Sequence, residues 1–311
     1  MRVHLVGLGA VGAGYGSKIL AAGHDLRVIA AADRAERYRR SVTTVNGVDY
    51  RFGVLEPAQA GPADVVIVAV KSPALAEAIA LIGSSVGPGT VILGLLNGVD
   101  SERILADAFP QSQVLLSVTV GIDAVRLDRE VRYTSLGRIV FGEVPPAEPG
   151  PAVARLSELL ASSDIAYDVS DDMVHQLWWK FLINVGVNQV SAVLKAPYRL
   201  FQITDSPARA AMIASQREVI AVARAEGVNL GEADIEAWLA VLAELGPDNY
   251  TSMAQDALAG RETEVGIFAG RVCELGRRHG IATPVNELLA LLLAAGALRD
   301  RDAAEPPASA R

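Results

Sequence analysis

The sequence predicts an α/β chain in two parts, a Rossmann-type doubly wound domain followed by an all-α helical domain. Three observations predict it. A glycine-rich turn, Gly7-Leu8-Gly9-Ala10-Val11-Gly12, follows the first β-rich run directly. Runs such as Val65-Val66-Ile67-Val68-Ala69-Val70 are apolar throughout rather than at alternate positions, as parallel strands covered on both faces are. From Asp171 onward the sequence reads as helices only.

The elements follow in order. Strands are expected at Val3–Val6, Leu26–Ile29, Val65–Val70, Val91–Leu95 and Val114–Val120. Helical stretches such as Ala74–Ile82 and Ser101–Ala108 lie between them, which is the doubly wound alternation. Arg132–Thr134 and Arg138–Phe141 are expected to pair as closing strands, and the proline-rich segment Pro145–Pro151 to break regular structure. A helix near Val153–Ser162 and a short strand at Ile165–Val169 complete the first part. Later, Arg277-Arg278-His279-Gly280 puts positive charge in a last helical turn with glycine just beyond, which stops a helix. Thr283-Pro284 starts the next with an N-cap and a proline at the first helical position. The expected division is a dinucleotide-binding domain over 1–170, a helical substrate domain over 171–299 and a flexible tail over 300–311.

Composition removes several classes of function. The 311 residues carry 28 Lys and Arg against 36 Asp and Glu, a net charge of −8. Nucleic-acid binders carry a basic footprint, and this chain does not. A single cysteine, Cys273, forms no internal disulfide, and it offers no metal-ligand spacing with the four histidines. No apolar stretch reaches the ~18 residues of a membrane helix, and the N-terminus lacks the apolar core of a signal peptide. The expectation is a cytoplasmic protein acting on a small molecule, with no metal, no nucleic acid and no membrane.

The glycine turn carries the first chemistry. Gly7 permits the tight turn, Gly9 lets backbone approach a pyrophosphate, and Gly12 lets helix and strand pack closely. The helix N-terminus beyond, at Ala10 and Val11, offers N–H groups and partial positive charge to phosphates. Lys71 and Asn97-Gly98 follow the third and fourth strands, at the edge where such sheets bind ligands. Each also reads as an ordinary loop lysine or turn dipeptide.

In the helical part, the segment Gln176–Asn188 is apolar nearly all round, with polar residues at Gln176, Lys180, Asn184 and Asn188. That four-residue spacing reads either as a narrow functional stripe or as a solvent-facing edge. A second polar cluster spans Asn249–Asp256 and Gly260–Val265, where Ser252 could simply cap a helix and Thr263-Glu264 open one.

These residues together resemble the ketopantoate reductase family over nearly the whole chain. The resemblance rests on the glycine loop, Val70-Lys71, Leu96-Asn97-Gly98, the helix Leu177–Asn184, Ser252–Asp256 and Arg261–Val265. It implies NADPH-dependent reduction of 2-dehydropantoate to pantoate, a step toward coenzyme A. It implies Lys180 as proton donor to the developing alkoxide, accompanied by Glu264. It gives Asn97, Asn184, Asn188, Asn249 and Ser252 to the substrate, and Lys71 to the cofactor. Two departures stand out: Ala31 replaces an arginine at the end of the second strand, and Gly266 and Ala269 replace an aspartate and an asparagine. They leave room for another 2-oxo acid as substrate. A nucleotide-binding regulator without catalysis is a further alternative, against which Lys180, Asn184, Ser252 and Glu264 together argue.

The second strand decides the cofactor. An NAD site usually ends that strand with an acid that accepts the ribose hydroxyl. Here Ala30-Ala31-Ala32 stand there, with Asp33 late and Arg34 next. A guanidinium grips a 2′-phosphate through paired hydrogen bonds, so Arg34 and NADP(H) are expected. Trp178, Trp179 and the apolar helix Val285–Leu298 suggest a homodimer.

Overall fold

The computed structural model describes residues 1–109, 114–143 and 150–304. Most of the expected proline-rich break, and the tail beyond 304, lie outside the described residues. Two compact units emerge, Met1–Leu177 and Trp178 onward.

The first unit is built on an eight-stranded sheet. In chain order its strands are β1 (Arg2–Val6), β2 (Asp25–Ile29), β5 (Gly53–Leu55), β6 (Val65–Val68), β7 (Val91–Gly94), β8 (Val114–Ile122), β11 (Leu136–Gly142) and β12 (Tyr167–Val169). They lie in the order β12-β11-β8-β7-β6-β1-β2-β5. The six strands from β8 to β5 are parallel. Counted along the chain, their order is the 3-2-1-4-5-6 of a dinucleotide fold, which reverses between β1 and β6.

Burial alternates along each central strand. Val3, Leu5, Val65, Ile67, Val91 and Leu93 enter one core, and Val6, Val66, Val68 and Ile92 enter the other. Helices α1 (Ala10–Ala21), α2 (Ala32–Arg40), α3 (Leu75–Ile82), α4 (Ser101–Ala108) and α5 (Pro151–Ser162) supply the covering. This double covering is why the strands carry no polar alternation.

One expectation is overturned. Arg132–Thr134 does not pair with Arg138–Phe141, which sits in β11 and pairs antiparallel with β8. A separate four-stranded sheet instead joins β4 (Val48–Tyr50), β3 (Thr43–Val45), β10 (Glu130–Arg132) and β9 (Val125–Leu127) in that order. The reason is local. Leu127 pairs with Glu130 across the two-residue turn Asp128-Arg129, with Asp128 at φ +52°, so β10 is spent on a hairpin with β9. Asn46 and Gly47, at φ +46° and +80°, form the other tight hairpin, the Asn-Gly pair that favours a two-residue turn.

The second unit is helical. The helix α6 (Met173–Ile183) contains the division between the units and continues as a π-helical turn over Asn184–Asn188 and then α7 (Gln189–Leu194). After it come α8 (Arg199–Gln202), α9 (Pro207–Ala225), α10 (Glu232–Glu244), α11 (Ser252–Leu258), α12 (Ala269–His279) and α13 (Pro284–Ala304). Ile183, Val187, Val190, Phe201, Met212, Trp238, Leu242 and Leu289 form its core. Gly280 closes α12 at φ +68°, and α13 opens on Pro284 as its sequence requires. Trp178 is buried, so the surface expected of it falls instead to Leu288, Leu291, Leu292 and Leu298 of α13, all exposed.

Candidate active site

Three loops at the carboxyl edge of the parallel sheet bring together most of the expected cofactor residues. Gly7–Gly12 follows β1, Lys71 follows β6 by three residues, and Asn97-Gly98 follows β7 by three. The three glycines of the first loop do different work. Gly7 holds φ +95°, and a Cβ there would lie 2.4 Å from the Ala69 carbonyl oxygen. A Cβ on Gly12 would lie 2.0 Å from the Gly7 carbonyl oxygen. Both are glycine because the protein itself fills the space. A Cβ on Gly9 would meet nothing within 4 Å, and Gly9 has φ −80°, which any residue adopts. Nothing in the fold demands glycine there.

Gly9 also forms the N-cap of α1 without a side-chain cap, and the first turn of α1 holds no acid. An open cradle at a helix N-terminus suits a pyrophosphate, so the residues present fit a dinucleotide. Leu8 turns its side chain into the core, leaving only backbone for the loop's outer face.

Arg34 lies in the first turn of α2, exposed, with its Nη1 3.3 Å from Glu77 Oε1. Just before it, Ala32 is held at φ +46°, a region an alanine seldom occupies. Beyond Asn97-Gly98, Glu102 is buried in the first turn of α4, and Ser101 Oγ donates to its Oε2 at 2.8 Å. Desolvation pushes the Glu102 carboxyl up from 4.5 to about 7. Glu102 is not legible as a site residue, since exposed helix glutamates look the same in sequence.

In the helical unit, Lys180 is half-buried in the last turn of α6, and burial lowers its pKa from the ordinary lysine value. Asn184 and Asn188 bracket the π turn and are buried, with Asn188 Nδ2 donating to Asn184 Oδ1 at 3.3 Å. Residues four apart are neighbours on an α-helix, which sets Lys180 beside Asn184, and across the wider i→i+5 turn Asn184 and Asn188 stay in contact.

Side chains from elsewhere hold this turn. Gln189 Nε2 donates to the Val185 carbonyl at 2.8 Å and to Asn286 Oδ1 at 3.2 Å, while Gln189 Oε1 accepts from Ala269 N at 2.9 Å. Asn286 Nδ2 donates in turn to Glu218 Oε2 at 2.7 Å. A Cβ on Gly186 would lie 2.6 Å from Gln216 Cγ. Gln189, Asn286, Gln216 and Glu218 are missed by sequence reasoning because each is defined only by its distant partner.

The remaining expected residues are less closely gathered. Ser252 is exposed at the start of α11, which packs against the π turn and α7. Ser252 is not the cap, a part taken by Thr251, whose Oγ1 accepts from Ala254 N at 3.1 Å. Asn249 is exposed, and its backbone carbonyl accepts from Tyr198 N at 2.9 Å. Glu264 is half-buried and opens a short 3₁₀ turn over Val265–Ile267 rather than an α-helix. Among the described residues no group of His, Cys, Asp or Glu could hold a metal, and no helix is long and apolar enough to cross a membrane.

A dinucleotide-type sheet with an open glycine cradle, followed by a helical unit carrying a desolvated lysine, fits an oxidoreductase that uses a dinucleotide cofactor. The chain belongs to the ketopantoate reductase family. Residues 3–146 match the model of "Ketopantoate reductase PanE/ApbA" and residues 172–297 that of its C-terminal part. It is similar to the 2-dehydropantoate 2-reductase of Halobacterium salinarum, 30% identical over 238 residues, 76% of this chain and 77% of that one. Among solved structures, 2-dehydropantoate 2-reductase from Geobacter metallireducens superposes with a TM-score of 0.81 at 28% identity, covering 95% of this chain and 99% of the other. D-mandelate dehydrogenase in complex with NADH reaches 0.86 at 22% identity, covering 96% and 99%, a likeness of fold alone.

Proposed function

We propose that the chain reduces 2-dehydropantoate to pantoate with NADPH. The observation that carries this reading is the desolvated Lys180 on one helical face with the hydrogen-bonded pair Asn184 and Asn188. The bound cofactor supplies hydride to the C2 carbonyl carbon. Lys180 donates a proton to the carbonyl oxygen as negative charge develops there, which stabilises the transition state more than the ground state. A lowered pKa makes the ammonium a better acid for this transfer, and the neutral amine regains its proton from solvent. Asn97, Asn184, Asn188, Asn249 and Ser252 orient the substrate's hydroxyl and carboxylate, and Glu264 accompanies Lys180.

Gly7–Gly12 and Lys71 hold the cofactor. Arg34 takes the 2′-phosphate, for its present ion pair with Glu77 is exposed and therefore weak, so a doubly charged phosphate displaces it. A second copy of the chain covers the exposed leucines of α13.

The test is reduced-cofactor oxidation against a panel of 2-oxo acids, with NADPH and NADH in parallel. The expected result is highest kcat/KM with ketopantoate and NADPH. Turnover of a different 2-oxo acid alone would reassign the substrate, and a preference for NADH would shift the ribose contact from Arg34 to Asp33. No turnover at all would favour a regulator.

A further inference from the structure

The first unit holds a half-buried cation that touches the glycine loop. Arg126, in β9, lies 118 residues from the glycine loop in sequence, yet its Nη1 donates to the Leu8 carbonyl inside that loop. Its Nε donates to the Asp128 carbonyl at 2.8 Å, across the tight turn that joins β9 to β10. Both partners are neutral. Among the described residues no carboxylate pairs with Arg126, and its Nη2 donates to none of them.

A charge taken partly out of water is ordinarily paired, because two neutral carbonyls do not repay the lost hydration of a cation. Arg34, Arg39, Arg103, Arg138 and Arg217, all more exposed, each pair with a carboxylate. Arg155 and Arg209, half-buried like Arg126, donate to backbone carbonyls as it does. What sets Arg126 apart is its place, against the loop where Gly9 faces open space. The sheet that carries it also packs on α1, through β3 and β10, so the hairpin has a fixed footing beside that helix's N-terminus.

We propose that Arg126 is a cofactor-binding residue whose guanidinium pairs with the pyrophosphate of the dinucleotide at the glycine loop. This rests on the reading of that loop as the cofactor site. The backbone N–H groups of α1 and the Arg126 fork then share one dianionic group, and the two carbonyl bonds aim the fork before the cofactor arrives. A fixed guanidinium gives up less freedom on binding than a mobile one.

The experiment measures binding of NADPH, ADP and adenosine to the wild-type chain and to Arg126→Gln and Arg126→Lys, by calorimetry at two salt concentrations. Thermal unfolding is followed in parallel. Loss of a charge-assisted hydrogen-bonded contact to phosphate predicts a tenfold to hundredfold rise in Kd for NADPH and ADP in Arg126→Gln. It also predicts a shallower salt dependence, unchanged adenosine binding and a partial return in Arg126→Lys. Unchanged Kd for NADPH and ADP in Arg126→Gln would overturn the proposal. So would a loss that falls equally on adenosine and follows a lowered Tm, because Arg126 would then only brace the Leu8 carbonyl. Failure of the wild-type chain to bind NADPH would overturn the cofactor reading itself, and the proposal with it.

Discussion

Gly9→Ala and Gly12→Ala are the same chemical change three residues apart, and the structure gives them opposite consequences. At Gly12 the new methyl group would lie 2.0 Å from the Gly7 carbonyl oxygen, so the loop or the first turn of α1 must move by more than an ångström. Forcing a methyl into a filled site costs about 1–3 kcal/mol. For a unit of this size that lowers Tm by about 2–4 °C per kcal/mol. At Gly9 the methyl group meets nothing within 4 Å and the backbone is already extended. Gly9→Ala should therefore leave Tm unchanged or raise it slightly, since alanine restricts the unfolded chain by about 0.4–1 kcal/mol. The same methyl occupies the space through which the cofactor approaches. A loss of at least about tenfold in NADPH affinity, about 1.4 kcal/mol, is expected for Gly9→Ala. Differential scanning fluorimetry and NADPH titration of both variants make the assay. Wild-type NADPH binding by Gly9→Ala, or wild-type stability of Gly12→Ala, would refute the division of roles among the glycines.

Two further predictions concern buried polar groups. Gln189→Leu strands the Ala269 N–H and Asn286 Oδ1, and buried groups left without partners cost about 1–3 kcal/mol each. Tm should fall by several degrees and kcat should fall with it, whereas a drop in Tm with kcat retained would show that the π turn does not position Lys180. The Glu102 carboxyl is raised from 4.5 to about 7, so the native state binds its proton more tightly than the unfolded chain does. Its contribution to stability is complete below about pH 4.5 and is lost as pH rises through 7. Glu102→Gln should gain Tm relative to wild type as pH rises from about 4.5 to 7 and hold that gain above it, and a difference that does not vary with pH would contradict the assignment.

The parallel sheet and the loops at its carboxyl edge are legible because each of their signals is local. Apolar runs mark the buried strands, and Gly7–Gly12, Lys71 and Asn97 stand at strand ends. The small second sheet was not read, since its three-residue strands carry too little pattern, although Asn46-Gly47 announced one of its hairpins. The four-residue spacing sets Lys180, Asn184 and Asn188 on neighbouring turns, but the π turn between Asn184 and Asn188 is not legible. It is held by Gln189 and packed against Gln216, whose partners lie far along the chain, and no window of sequence shows that. Arg126 was hidden for the same reason. Its meaning lies in a contact with Leu8 rather than in its neighbours.

Catalysis by Lys180 is the centre of the account, and one comparison tests it most directly: steady-state reduction of ketopantoate by NADPH with the wild-type chain and with Lys180→Ala, alongside NADPH affinity for both. A positioned proton donor contributes about 10²–10⁴-fold in rate. Catalysis by Lys180 predicts a loss of kcat in that range with the Kd for NADPH unchanged. It also predicts that wild-type kcat declines with rising pH before the ordinary lysine range, because burial lowers the Lys180 pKa. Near-wild-type kcat in Lys180→Ala would contradict it, leaving Lys180 as one more side chain on a half-buried helix.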